Sequence, residues 1–215
     1  MRLTEPASYP GELEDDIVLS NLRVLRIRPL RRCEEGAVRE LYDHLSPRTR
    51  YLRFFSQMPR LPDDVVRMLT CVDYRRQLAL VAEHDSGNGP EIVGLANFAA
   101  IDDRSVEVAL VIRDDWQRQC LGTALAGRLL QAAEARGFHR FIATVRSDNV
   151  EIRRLVKSLG DVVAMKMSGE ISELAFVRRR AKSGESAMPA IELQIRRGNE
   201  DAHDRRSPRA CTPVD

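Results

Sequence analysis

The chain has 215 residues, with 34 Lys+Arg against 32 Asp+Glu, a formal net charge of +2, and a 43% share of hydrophobic residues. That suffices for one globular domain with some chain to spare. Charge at 31% that nearly cancels excludes the profile of a disordered chain and the basic excess of a general nucleic-acid binder.

Residues 1–20 are polar, contain Pro and Gly and read as a flexible arm. Leu22 to Ile27 alternates as a strand does, and Val38, Leu41, Tyr42 and Leu45 then recur at helical spacing. Ser46-Pro47 is an N-cap followed by a first-turn proline and predicts a helix through Phe55; Leu61-Pro-Asp-Asp64 predicts another through Met68. Three strands follow, Gln77 to His84, Ile92 to Ile101 and Val106 to Ile112, and the short polar links between them favour an antiparallel meander. Leu121, Leu125, Leu129 and Ala133 form one helical stripe that ends at Arg136-Gly137. Phe141 to Val145 reads as a strand, and Ile152, Leu155, Val156 and Leu159 as a helix stopped by Gly160. Val162 to Met167 and Ile171 to Val177 close the pattern as a hairpin. Residues 181–215 read as a disordered tail, although Ile191, Leu193 and Ile195 alternate as a short strand would. A run of strands that then alternates with helices predicts an α/β fold, a mixed central sheet flanked by helices in a single domain over residues 21–180.

Cys33, Cys71, Cys120 and Cys211 form no CxxC, and His44, His84, His139 and His203 share no ligand spacing, so no metal site is written here. No apolar segment approaches the roughly 18 residues of a membrane span, and residues 1–16 lack the basic flank and apolar stretch of an export signal. The expectation is a cytoplasmic protein with reduced thiols, with no nucleic-acid or membrane partner.

Val106 to Leu125 is a strand, a polar turn and a helix start, so unspent backbone N–H groups gather at the positive end of a helix dipole. The geometry alone favours an ordinary strand-to-helix connection. Gln117-Arg-Gln-Cys-Leu-Gly122, followed by Thr123, resembles the Q/R-x-x-G-x-G/A pyrophosphate loop of the GNAT acetyltransferases, and Ser-Asp-Asn149 resembles their CoA-facing asparagine segment. Tyr9-Pro-Gly-Glu-Leu-Glu14, Arg26-Ile-Arg-Pro29, Leu45 to Ser56 with its Tyr51-Leu-Arg-Phe-Phe55 block, and Val72-Asp-Tyr74 are similar to landmarks of the bacterial Pat-type protein lysine acetyltransferases. The resemblance covers about Tyr9 to Val177.

It implies acetyl-CoA as co-substrate and a protein bearing an exposed lysine as acceptor, acyl-CoA synthetases among them. It also implies a cofactor site made of the Leu110, Val111 and Ile112 backbone, Gln117, Arg118, Gln119, Cys120, Leu121, Gly122, Thr123 and Asn149. Glu107 stands where that family places its general base, and a lysine of pKa near 10.4 needs one; by alternation alone Glu107 reads as a solvated strand residue. Two positions depart from the pattern. Cys120 replaces the first loop glycine, and Val156 stands where many members carry a tyrosine that protonates the leaving thiolate. A CoA-like thiol, with a pKa near 8.5, leaves without such an acid. Arg48, Arg50 and Arg53 are available to CoA phosphates or to an acidic partner surface. The alternatives are a small-molecule amine acetyltransferase and a non-catalytic acyl-CoA-binding module.

Overall fold

The computed structural model describes residues 8–56, 58–87 and 89–179. Its centre is an eight-stranded sheet in the order β1-β2-β3-β4-β5-β6-β8-β7. The strands are β1 (Asp15–Val18), β2 (Val24–Pro29), β3 (Gln77–Asp85), β4 (Pro90–Ala100), β5 (Ser105–Ile112), β6 (Arg140–Arg146), β7 (Gly160–Ser168) and β8 (Ile171–Arg178). The helices among the described residues are α1 (Glu35–Asp43), α2 (Pro47–Phe54), α3 (Asp63–Thr70), α4 (Leu121–Glu134) and α5 (Val150–Leu159). All neighbouring strands pair antiparallel except β5 with β6, as a mixed sheet requires.

The caps explain the helix starts. Ser46 Oγ accepts the Thr49 N–H at 3.2 Å with Pro47 in the first turn of α2, and Asn149 Oδ1 accepts the Ile152 N–H at 3.1 Å at the start of α5. Gly137 takes φ +92° just after α4, the left-handed turn expected of it. Gly160 serves differently. Its φ of −168° suits any residue, but a Cβ there would lie 2.2 Å from the Val177 carbonyl oxygen, so glycine is what lets α5 turn directly into β7 against β8.

The core spreads over both faces of the sheet. Val38, Leu41, Tyr42, Val66 and Leu69 of α1 and α3 are buried, as are Leu121, Leu125, Leu129, Leu130 and Ala133 of α4. Arg28 is also buried, and its guanidinium is bound by Glu34 (2.9 Å) and Glu83 (2.8 Å). Burial opposes its charge, but the two carboxylates outweigh that and hold its pKa above the ordinary arginine value.

The expected flexible arm is corrected over its second half. Asp15–Val18 is an edge strand in register with Val24–Ile27, Leu19 is buried, and Tyr9 packs edge-on against Tyr74 with ring centroids 5.9 Å apart. Sparse apolar content hid this segment because it is an edge strand, which buries little and pairs through its backbone. The expected tail and the alternation at Ile191, Leu193 and Ile195 lie outside the described residues.

Candidate active site

The parallel ladder between β5 and β6 is short: Ser105 pairs with Arg140, Val106 with Phe141 and Glu107 with Ile142, and there it ends. Past Glu107, β5 stays bound to β4 as far as Ile112, and β6 stays bound to β8 as far as Arg146. The two strands therefore diverge, and alternate backbone groups of Val108 to Ile112 on that side face a gap instead of a strand. Glu107 stands at the closed end of the gap, exposed, accepting a hydrogen bond from Thr144 Oγ1 of β6 at 3.2 Å. A carboxylate held by one hydroxyl and open to solvent retains lone pairs with which to take a proton.

The open end of the gap meets the loop from Arg113 to Cys120. Its backbone is unusual: Arg118 has φ +58° and Cys120 φ +63°, both left-handed and neither a glycine. The first helical bond of α4 runs from the Ala124 N–H to the Cys120 carbonyl at 3.1 Å, so the Leu121, Gly122 and Thr123 amides remain unspent at the dipole's positive end. These donors fit a diphosphate, and Cys120 adopts the conformation that glycine would supply there. Gly122 lies against β5, where a Cβ would sit 3.4 Å from Leu110 Cδ2 and 3.9 Å from Ile112 Cγ1.

Side chains fasten the loop down. Gln117 Nε2 donates to the Ile112 carbonyl (2.9 Å) and to Thr49 Oγ1 (3.3 Å). Gln119 Nε2 donates to the Asp115 carbonyl (2.8 Å), while its Oε1 accepts from Asn21 Nδ2 (2.6 Å). Asp114 binds Ser46 and Thr49 of α2. Leu121 is buried and Val111 is buried on the opposite sheet face; Arg118, Cys120 and Thr123 are exposed. Asn149 spends its Oδ1 on capping α5, which leaves its Nδ2 as the group able to face a ligand.

Helix α2 forms the other wall. Tyr51 Oη accepts from Arg146 Nη1 at 3.0 Å, and Arg146 is also paired with Asp148 (3.0 Å) and Glu170 (2.8 Å). The basic residues of α2 do not all face outward, as the sequence allowed. Arg50 bonds the Tyr42 and Asp43 carbonyls at 3.2 and 2.9 Å, and Arg53 turns inward to Asn97 Oδ1 at 3.1 Å. Val156 is buried in α5. Among the described residues no cluster of His, Cys, Asp and Glu suits a metal ion.

Thr144, Arg146, Asn97 and Asp114 were not singled out in the sequence. Period-two alternation places Thr144 and Arg146 on one face of β6, but their partnership with β5 and α2 depends on strand order, which alternation does not encode.

Comparison with known proteins identifies the family and the fold. A model of the Acetyltransferase (GNAT) family matches residues 38–161. The acetyltransferase PA5475 of Pseudomonas aeruginosa is 32% identical over 146 residues, 67% of this chain and 78% of its own. The acetyltransferase Pat of Mycolicibacterium smegmatis is 39% identical over 56 residues, 26% of this chain and 17% of its own. The crystal structure of the GNAT domain of S. lividans PAT superposes with a TM-score of 0.70 at 25% identity, covering 79% of this chain and 99% of that one. This chain belongs to the GNAT acetyltransferase family. No helix among the described residues is long and apolar enough to cross a membrane.

Proposed function

We propose that this protein transfers the acetyl group of acetyl-CoA to the ε-amine of a lysine on a protein substrate, in the cytoplasm. The observation that carries the reading is the end of the β5–β6 ladder at Glu107, which leaves a carboxylate at one end of a gap and an anion cradle at the other. Similarity to S. lividans PAT and to the M. smegmatis acetyltransferase Pat supports it, as does the likeness in fold to Salmonella yncA, solved with its cofactor acetyl-CoA (TM-score 0.57).

The amides of Leu121, Gly122 and Thr123, with Asn149, would grip the diphosphate; the β5 backbone at Leu110 to Ile112 would hold the thioester carbonyl in the gap. Glu107 takes a proton from the lysine ammonium, and the freed amine attacks the carbonyl carbon. The oxyanion is held by β5 amides facing the gap. The C–S bond breaks, the thiolate leaves, and the second amine proton passes through solvent to the sulfur or to bulk. Val156 supplies no acid, and none is required for a thiol that ionises near pH 8.5.

Incubation with acetyl-CoA and a lysine-rich protein, followed by intact-mass and free-thiol measurements, tests the reading. Equimolar CoA release and +42 Da adducts on lysines are expected. Turnover of free polyamines or amino acids alone would assign a small-molecule acceptor, and absence of acetyl-CoA binding would overturn the enzymatic reading.

A further inference from the structure

The anion cradle stands on a backbone that its own residues disfavour. Arg118 and Cys120 are left-handed at φ +58° and +63°, a conformation that a side chain resists and that persists where the surroundings impose it. Gln119 stands between them, and both polar atoms of its side chain are taken. Its Nε2 donates to the Asp115 carbonyl at 2.8 Å inside the loop, and its Oε1 accepts from Asn21 Nδ2 at 2.6 Å outside it. Helix α2 holds the loop at Asp114 and Gln117. Among the described residues, the Asn21 bond is the one side-chain hydrogen bond that reaches Arg118, Gln119 or Cys120 from beyond the loop.

Asn21 lies in the turn between β1 and β2, 98 residues earlier in the chain. The turn is closed by its own backbone: the Leu22 N–H donates to the Leu19 carbonyl and the Leu19 N–H to the Arg23 carbonyl, both at 2.9 Å. Asn21 Oδ1 also accepts the Arg23 N–H at 3.1 Å, which fixes the side chain with its NH2 group toward the loop. Two further contacts come from the same hairpin. The Arg23 guanidinium lies over the ring of buried Trp116, 4.7 Å from its centroid, and Asp15 of β1 pairs with Arg128 of α4 at 2.5 Å. The hairpin thus meets the loop at Trp116 and Gln119 and meets the helix that follows it at Arg128. Leu19 is the residue that the turn buries. Asn21 is exposed, so its bond to Gln119 is not a by-product of core packing.

We propose that Asn21 is a positioning residue for acetyl-CoA: by holding Gln119 it keeps the left-handed residues on either side in place, and so keeps the Leu121 to Thr123 amides turned toward the diphosphate. The inference rests on the reading of this loop as the acetyl-CoA cradle. A protein whose binding-competent state is only partly populated binds its ligand more weakly by that fraction. Without the Asn21 bond, Arg118 and Cys120 relax part of the time to negative φ, and the apparent Kd rises. A glycine at position 120 meets no such penalty and holds the conformation with less help from the turn.

Asn21→Ser tests this on the full chain. Serine keeps an oxygen for the Arg23 N–H, is too short to reach Gln119 and adds no charge near the diphosphate. Calorimetric titration with acetyl-CoA should give a Kd raised roughly 3–10-fold, the worth of one hydrogen bond. The thermal midpoint of the free protein should stay at the wild-type value, because the bond is exposed and the turn keeps its backbone closure. In a Cys120→Gly background the same substitution should change Kd less than about twofold, since both substitutions act on one conformational equilibrium and their effects do not add. An unchanged Kd in Asn21→Ser would overturn the assignment. So would a rise of equal size in both backgrounds, which would mean that Asn21 acts on binding by a route other than the left-handed backbone. A midpoint that falls in step with affinity would reduce Asn21 to a stabiliser of the fold and overturn it as well. Failure of the wild type to bind acetyl-CoA would instead overturn the cofactor reading, and this inference with it.

Discussion

Asp114 holds Ser46 across 68 residues of chain: its carboxylate accepts the Ser46 N–H at 2.9 Å and the Ser46 hydroxyl at 2.7 Å, and takes the Thr49 hydroxyl at 2.7 Å as well. The residue that caps α2 is thereby tied to the turn that precedes the anion cradle. With the Gln117–Thr49 bond, that carboxylate ties α2 to the loop.

Asp114→Ala should therefore loosen both walls. Three hydrogen bonds to an exposed carboxylate predict a loss of about 1–2 kcal/mol, read by denaturant midpoint, together with weaker acetyl-CoA binding by calorimetry. Burial alone would raise the Asp114 pKa, but the Ser46 and Thr49 donors outweigh it and hold it below the ordinary 3.8. The contribution is complete above the unfolded value and lost as pH falls through the lower folded one. Wild type and variant should hence differ steadily at neutral pH and converge only below about pH 4. A variant with unchanged midpoint at pH 7 would show that the clamp is idle.

Cys120→Gly should stabilise the fold slightly and tighten acetyl-CoA binding. A left-handed non-glycine residue costs about 1–2 kcal/mol, glycine returns about 0.5–1 of that as chain entropy, and the remainder is a small gain. Removing the exposed side chain also clears the approach to the Leu121 to Thr123 amides. A Kd for acetyl-CoA equal to or weaker than wild type would show that Cys120 does not obstruct the loop.

Glu107→Gln should lower kcat about 10²–10⁴-fold, the contribution of a positioned base, with the Kd for acetyl-CoA nearly unchanged. The amide keeps the shape and still accepts from Thr144, so the melting midpoint should not move. Turnover that recovers toward the alkaline range, where lysine deprotonates unaided, is the accompanying signature. Wild-type kcat at neutral pH would reduce Glu107 to a solvated strand residue.

Gly160→Ala should cost about 3 kcal/mol or more, at or beyond the upper end of ordinary overpacking, because the obstructing atom is a backbone carbonyl 2.2 Å from the new methyl. Separation of β7 from β8 would appear as lost amide protection at Val177 and Arg178. A fully stable alanine variant would mean that the α5–β7 junction shifts freely.

Much of this architecture was legible in the residues. The Ser46-Pro47 cap, the Gly137 stop and the polar links at Asp85 and Asp102 each carry their own local chemistry, and the observed elements begin and end close to them. Strand β1 was not legible, since an edge strand with the sequence Asp-Asp-Ile-Val pairs through its backbone and gives little apolar signal. The left-handed backbone at Arg118 escaped notice because arginine does not advertise it. At the site, Glu107 and the loop stood out, as their chemistry is local. Arg53 stood out only as one more basic residue open to phosphates or to a partner, and Asn97 not at all, because the contact between them depends on how α2 packs against the sheet.

The short ladder has a mechanical consequence. Three registered pairs join β5 to β6, against seven between β4 and β5 and six between β6 and β8. The sheet is thus two antiparallel blocks, β1 to β5 and β6 to β8, joined in the sheet by the short ladder from Ser105 to Glu107. Segments so weakly stitched open as separate cooperative units, so native-state hydrogen exchange should find the β6–β8 block detaching at lower free energy than the meander. The line along which the molecule parts most readily is then the same line along which its substrates are proposed to meet.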